Sequence, residues 1–194
     1  MKRILAIFAL IFGMSSAAQA GLLIEPYIGY AFGKATYTFI GATEYTDNLS
    51  GAGYGLRLGY KFLMPWVALD YTGGSGTAKS GRPGVADSDY TVTSLGGVVG
   101  VDLPILLRAW AGYGFSNEVL LKGAAGAADQ KFKGTYTKVG VGFTGLPFVS
   151  LNAEYQIHDF KKVDVGSGEV DKTDVFDKLT GDQVLVSVSI PFDL

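Results

Sequence analysis

Cysteine is absent from the 194 residues, so the chain carries neither a disulfide framework nor a thiolate metal site. Missing too is any apolar run long enough to cross a membrane as a helix, which takes about 20 residues. The longest, Ile4–Phe12 (ILAIFALIF), follows the basic Met1-Lys2-Arg3 and precedes the small residues SSAAQA (Ser15–Ala20). A basic start, a short apolar centre and an A-x-A-like end read as a secretory leader of residues 1–20, removed after Ala20. Excess positive charge is lacking as well. Without Lys2 and Arg3, 14 basic residues stand against 18 acidic ones, a net charge of about −4, so nucleic acid is not an expected partner.

What is there is glycine and aromatic side chains: 28 Gly, 12 Phe, 11 Tyr and 2 Trp, with positive mean hydropathy. An exported, apolar chain without a spanning helix or disulfides suggests strands. Three short punctuation marks, FLMPW (Phe62–Trp66), DLPIL (Asp102–Leu106) and GLPFV (Gly145–Val149), each set a proline between two alternating segments. Proline cannot donate to a sheet ladder and belongs in a turn or at a strand start. Four polar stretches, 35–50, 74–90, 118–133 and 161–180, alternate with these turns. Eight strands follow, over 22–34, 51–62, 66–73, 91–102, 105–117, 134–145, 148–160 and 181–193. Long loops on one side and tight turns on the other are the layout of an all-β, eight-stranded antiparallel transmembrane up-and-down β-barrel, with both termini at the turn end, the periplasmic one.

Side-chain parity settles which face meets lipid. In GYGLRLGYKF, Tyr54, Leu56, Leu58, Tyr60 and Phe62 share one face, opposite Gly53, Gly55, Arg57, Gly59 and Lys61. The fifth strand repeats this with Ile105, Leu107, Ala109, Ala111, Tyr113 and Phe115 against Arg108, Trp110, Gly112, Gly114 and Ser116. The seventh sets Val149, Leu151, Ala153, Tyr155 and Ile157 against Ser150, Asn152, Glu154, Gln156 and His158. A soluble lipocalin-like barrel would turn the apolar face inward. Eight strands enclose an interior only just filled by side chains, and Tyr, Leu and Phe from every strand would overfill it. Arg or Lys on the lipid face would cost about 2–4 kcal/mol at the midplane, so the cations point inward. Two aromatic girdles are expected, with Phe62, Trp66, Phe148 and Phe192 near the turns, and Tyr54, Tyr71, Phe115 and Tyr155 near the loops.

On the leader, the GYGLRLGYKF strand and the four-loop, three-turn layout, the mature chain (21–194) resembles the small eight-stranded outer-membrane barrels: the outer membrane protein A transmembrane domain, OmpX-like proteins and opacity-type barrels. The resemblance implies outer-membrane lipid, lipopolysaccharide and the barrel-assembly machinery as partners, and no cofactor. Such barrels commonly end in an aromatic residue, whereas this chain ends Pro191-Phe192-Asp193-Leu194, which leaves Phe192 as the terminal aromatic. The chain ends with its last strand, so no periplasmic domain is expected.

The interior is expected to hold Glu25, Arg57, Lys61, Asp70, Asp102, Arg108, Lys138, Glu154 and His158: four acids, four bases and one imidazole. Isolated charges away from water are costly, so they should pair, with Lys138–Glu154 across a turn and Arg57–Asp70 on a diagonal. A structural polar core is the reading adopted; a narrow path for ions or small solutes is the alternative. Lipid A-modifying barrels resembling this one use a His-x-Ser pair, but here the segment is HDF (His158–Phe160), without the nucleophile. No catalytic or metal-binding residue is assigned. The last loop lacks the calcium-loop pattern, and Arg82 and Lys79 of the second are placed to meet lipid phosphates.

Overall fold

The computed structural model describes residues 21–123, 128–164 and 168–193, so the leader assigned to residues 1–20 and the terminal Leu194 lie outside it. Eight long strands carry the fold: β1 (Gly21–Phe39), β2 (Glu44–Lys61), β3 (Pro65–Lys79), β4 (Ser88–Leu103), β5 (Leu107–Leu121), β6 (Gln130–Phe143), β7 (Ser150–Asp164) and β9 (Phe176–Ser189). Two short strands, β8 (Glu169–Asp171) and β10 (Phe192–Asp193), flank β7 and β1. Each long strand pairs antiparallel with its neighbours in sequence, and β9 pairs with both β7 and β1. The sheet therefore closes on itself as an eight-stranded barrel with no open edge between its long strands.

Alternation sorts the side chains. Ile28, Leu69, Val99, Val139, Val141 and Val186 stand exposed around the outside, while Glu25, Arg57, Asp70, Arg108, Lys138 and Glu154 are buried within. A charged interior inside an apolar wall is the inverse of a soluble protein, and it suits hydrocarbon as the surrounding solvent. The tight turns each hold one non-glycine residue in the left-handed region: Leu63 (φ 63°), Leu106 (φ 61°) and Phe148 (φ 65°). Each such residue costs about 1–2 kcal/mol.

Beyond the apolar wall the strands run on. The polar stretches expected as loops at 35–50 and 74–90 are mostly paired strand, and the first two loop-end connections shrink to residues 40–43 and 80–87. In this upper storey the sense of the faces reverses. Phe160, Val163, Phe176 and Leu179 form a buried cluster, backed by Tyr37, Phe39 and Phe132, while Lys131, Lys162 and Lys178 lie outside. Register shifts accompany the change. In β5 the pairing slips between Gly114 and Asn117, so that Ser116, expected inside, is exposed and Asn117 is buried. One extra residue on a strand rotates everything after it by one face.

Candidate functional site: an ion network across the barrel interior

Arg57, near the C-terminal end of β2, is the hub. Its Nε meets Asp70 Oδ2 at 3.2 Å, its Nη1 meets Glu25 Oε1 at 3.3 Å, and its Nη2 donates to Glu154 Oε1. The sequence reading placed Asp70 on a diagonal; it is instead the direct register partner of Arg57. Lys138 donates to Asp70 Oδ2 and lies 3.0 Å from Glu154 Oε2. Lys138 and Glu154 pair on the diagonal, since Gln156 is the register partner of Lys138. Arg108 Nη1 reaches Glu25 Oε1 at 2.8 Å and its Nε lies 3.4 Å from Asp102 Oδ1. Lys61 completes the set at 2.7 Å from Asp102 Oδ2. Thus Glu25, Arg57, Lys61, Asp70, Asp102, Arg108, Lys138 and Glu154, four acids and four bases, form one connected array.

The direction of these bonds matters more than their number. Glu25 stands on β1 and Arg108 on β5, four places apart in a ring of eight, so their bond spans the diameter. Arg57 to Glu154 joins β2 to β7, and Lys138 to Asp70 joins β6 to β3, each across the interior rather than along the wall. Six of the eight ions are nearly or fully buried. Charges taken out of water are tolerable only when paired and hydrogen-bonded. Here Tyr27 donates to Asp70 (2.9 Å), Gln156 donates to Glu154 (3.2 Å), and Trp66 Nε1 donates to Asp102 (3.0 Å).

Aromatic rings fill the space between the ions. The Arg57 guanidinium lies 4.8 Å from the Tyr27 ring centre and 4.7 Å from that of Trp110, and Arg108 lies 4.8 Å from Trp66. Such faces attract a desolvated cation by about 2 kcal/mol. Gly140 and Gly114 make room, since a Cβ at either position would fall within 2.6 Å of the Trp110 or Tyr136 ring, respectively.

Trp66 corrects the sequence reading. Its nearness to a turn predicts a place in the lipid-facing girdle, yet it is 1% exposed inside the barrel. On β3 it shares parity with Ala68 and Asp70, and a strand cannot send residues of one parity to both faces. The other girdle residues, Tyr54, Phe62, Tyr71, Phe115, Phe148, Tyr155 and Phe192, are exposed on the outer surface. His158 lies apart from the ions. Ser94 Oγ donates to Asn117 Oδ1 (2.8 Å) and Asn117 Nδ2 lies 3.0 Å from His158 Nδ1. Strand parity alone does not mark Tyr27, Trp110 or Asn117 for these contacts.

Comparison with known proteins agrees with this geometry. A family model described as an outer membrane protein beta-barrel domain matches residues 6–192. Among solved structures, Neisserial surface protein A is 19% identical, covering 90% of this chain and 99% of that one, with a TM-score of 0.54. Ail, the attachment invasion locus protein of Yersinia pestis, solved with the heparin analogue sucrose octasulfate, is 12% identical, covering 89% of this chain and 99% of that one, with a TM-score of 0.58. No curated protein sequence matches the chain. With a closed eight-stranded barrel, an apolar outer wall and this match in hand, the chain belongs to the outer membrane protein beta-barrel domain family, as one of its small eight-stranded barrels of the bacterial outer membrane.

Proposed function

We propose that the protein is a closed-lumen barrel that serves the outer membrane structurally and through interactions at its loop end, rather than as a conduit. The observation that carries this reading is the diametric Glu25–Arg108 bond, with the Arg57–Glu154 and Lys138–Asp70 bonds crossing beside it. Paired ions and aromatic rings occupy the section that a solute would have to traverse. A narrow ion channel, the alternative, would need this array to open and would give steady conductance.

Catalysis is not part of the proposal. Asn117 stands between the Ser94 hydroxyl and the His158 imidazole, so this chain of bonds brings no base to that hydroxyl. Partners in this reading are outer-membrane lipid and lipopolysaccharide around the apolar wall and the assembly machinery at the strand carrying Phe192, whose ring is exposed. The termini and tight turns face the periplasm, and the loop end faces outward.

Because the native chain has no cysteine, orientation is directly testable. Val85→Cys, in the connection 80–87, is expected to react with a membrane-impermeant maleimide on intact cells, whereas Leu146→Cys, in a tight turn, should react only after lysis. Labelling of Leu146→Cys and not Val85→Cys on intact cells would refute the reading.

A further inference from the structure

The upper storey encloses something the ion network does not explain. Above His158 and inside the extended strands lies a cavity of about 500 Å³. Its wall includes Tyr37, Phe39, Leu49, Phe132, Phe160 and Leu179. A space of this size, apolar with a few polar groups, has the character of a small-molecule site. On the side of the ions it is bordered by His158 and Gln183, and Gln183 donates to Gln156 Oε1 (2.8 Å).

The rim gives the ligand its sign. Arg82 and Lys122 both line the mouth. Among the described residues neither cation has a carboxylate within ion-pair distance; Arg82 instead rests over the rings of Phe39 (5.3 Å) and Tyr45 (5.6 Å). Of the acids beside the cavity, Asp47 already accepts from Gly81 N–H (2.8 Å) and the Tyr37 hydroxyl (3.3 Å). Asp182 stands opposite Lys34 in the β1–β9 register. Two cations above an apolar well are complementary to one molecule with an anionic head and a single hydrocarbon tail. The volume excludes a lipid with two long chains lying wholly within.

We infer that the loop-end cavity binds a single-chain anionic amphiphile, with a carboxylate-type head at Arg82 and Lys122 and its tail down toward Phe160 and Leu179. The site deepens the loop-end role proposed above. It rests on that end facing solution, which the cysteine labelling tests separately.

The probe is dodecanoate, titrated into the full barrel in zwitterionic lipid nanodiscs, with dodecanol as the neutral control and methyl NMR as the readout. Saturable shifts are expected at the Ala78, Val119 and Leu179 methyls, with none at the lipid-facing Val99 and Val141. Arg82→Glu should weaken dodecanoate at least tenfold and leave dodecanol unchanged. Ala78→Trp, at a buried wall position, should abolish binding of both; Leu49→Trp replaces it if that variant fails to insert, as judged by heat-modifiable mobility. Shifts confined to Val99 and Val141, or growing without saturation, would mean partition into the bilayer and would overturn the inference. Equal weakening of acid and alcohol by Arg82→Glu would overturn the assignment of the head group.

Discussion

Replacing Arg57 by Met keeps most of the side-chain volume and removes the hub charge. Glu25, Asp70 and Glu154 then face only Arg108 and Lys138 in the buried centre, an excess of one negative charge. Breaking one partner out of a buried ion pair costs about 3–5 kcal/mol. The lower half of that range applies to the ionic loss, because Glu25 keeps Arg108 while Asp70 and Glu154 keep Lys138. The lost stacking on Tyr27 and Trp110 adds about 1–2 kcal/mol. Arg57→Met should therefore lower stability by about 5 kcal/mol, between three and four orders of magnitude in the folding equilibrium. Urea titration of reversible insertion into thin-lipid vesicles measures this. The two tryptophans, Trp66 and Trp110, both lie against the network and report its integrity by emission. Adding Glu154→Gln restores equal numbers of charges, so the double variant should recover about 1–3 kcal/mol relative to the sum of the single changes. A cost below about 1 kcal/mol for Arg57→Met, or strict additivity in the double variant, would refute the view of one coupled array.

Three further outcomes follow from particular positions. Val99→Arg, on the lipid-facing wall, should cost about 2–4 kcal/mol in the same urea titration, and a loss under 0.5 kcal/mol would mean that the wall does not meet hydrocarbon. Gly140→Leu drives a side chain into the Trp110 ring and should cost at least about 1–3 kcal/mol; unchanged stability and Trp emission would contradict the packing described. At the loop end, hydrogen bonds from Lys133 and then Lys162 hold Glu169 down at about 2. A lowered carboxyl contributes stability that is present above its ordinary range and lost as pH falls. Protection of the Val170 and Asp171 amides, their exchange set against its intrinsic rate at each pH, should thus hold at pH 5 and fall between about pH 4.5 and 2, an effect weakened by salt because the clamp is exposed. Protection that does not change on acidification, or that matches in Glu169→Gln at pH 5, would remove the clamp from the account.

The membrane storey was legible because it obeys one rule without interruption. From Gly53 to Lys61 each residue declares its face, and Arg57 can only point inward. Trp66 was misplaced by a weaker signal, its distance from a turn, although counting back by twos from Asp70 puts it inside. The upper storey was hidden for a physical reason. There Tyr37 and Phe39 alternate with Thr36 and Thr38, a pattern that averages to polar and reads as loop unless the sense of the faces is allowed to reverse. The slip that exchanges Ser116 for Asn117 is a single residue and leaves no compositional mark. Nor can spacing alone reveal that Glu25 and Arg108 meet, because 83 residues separate them and only barrel closure sets them face to face.

The central claim, that crossing ion pairs close the interior, is tested most directly by single-channel recording in planar bilayers. The native protein is expected to give no steady open level across pH 5–8, while the paired replacement Arg57→Ala and Arg108→Ala, provided that it still inserts, should give small, flickering conductance. Stable steps from the native protein, left unaltered by that double replacement, would contradict a lumen closed by these ions.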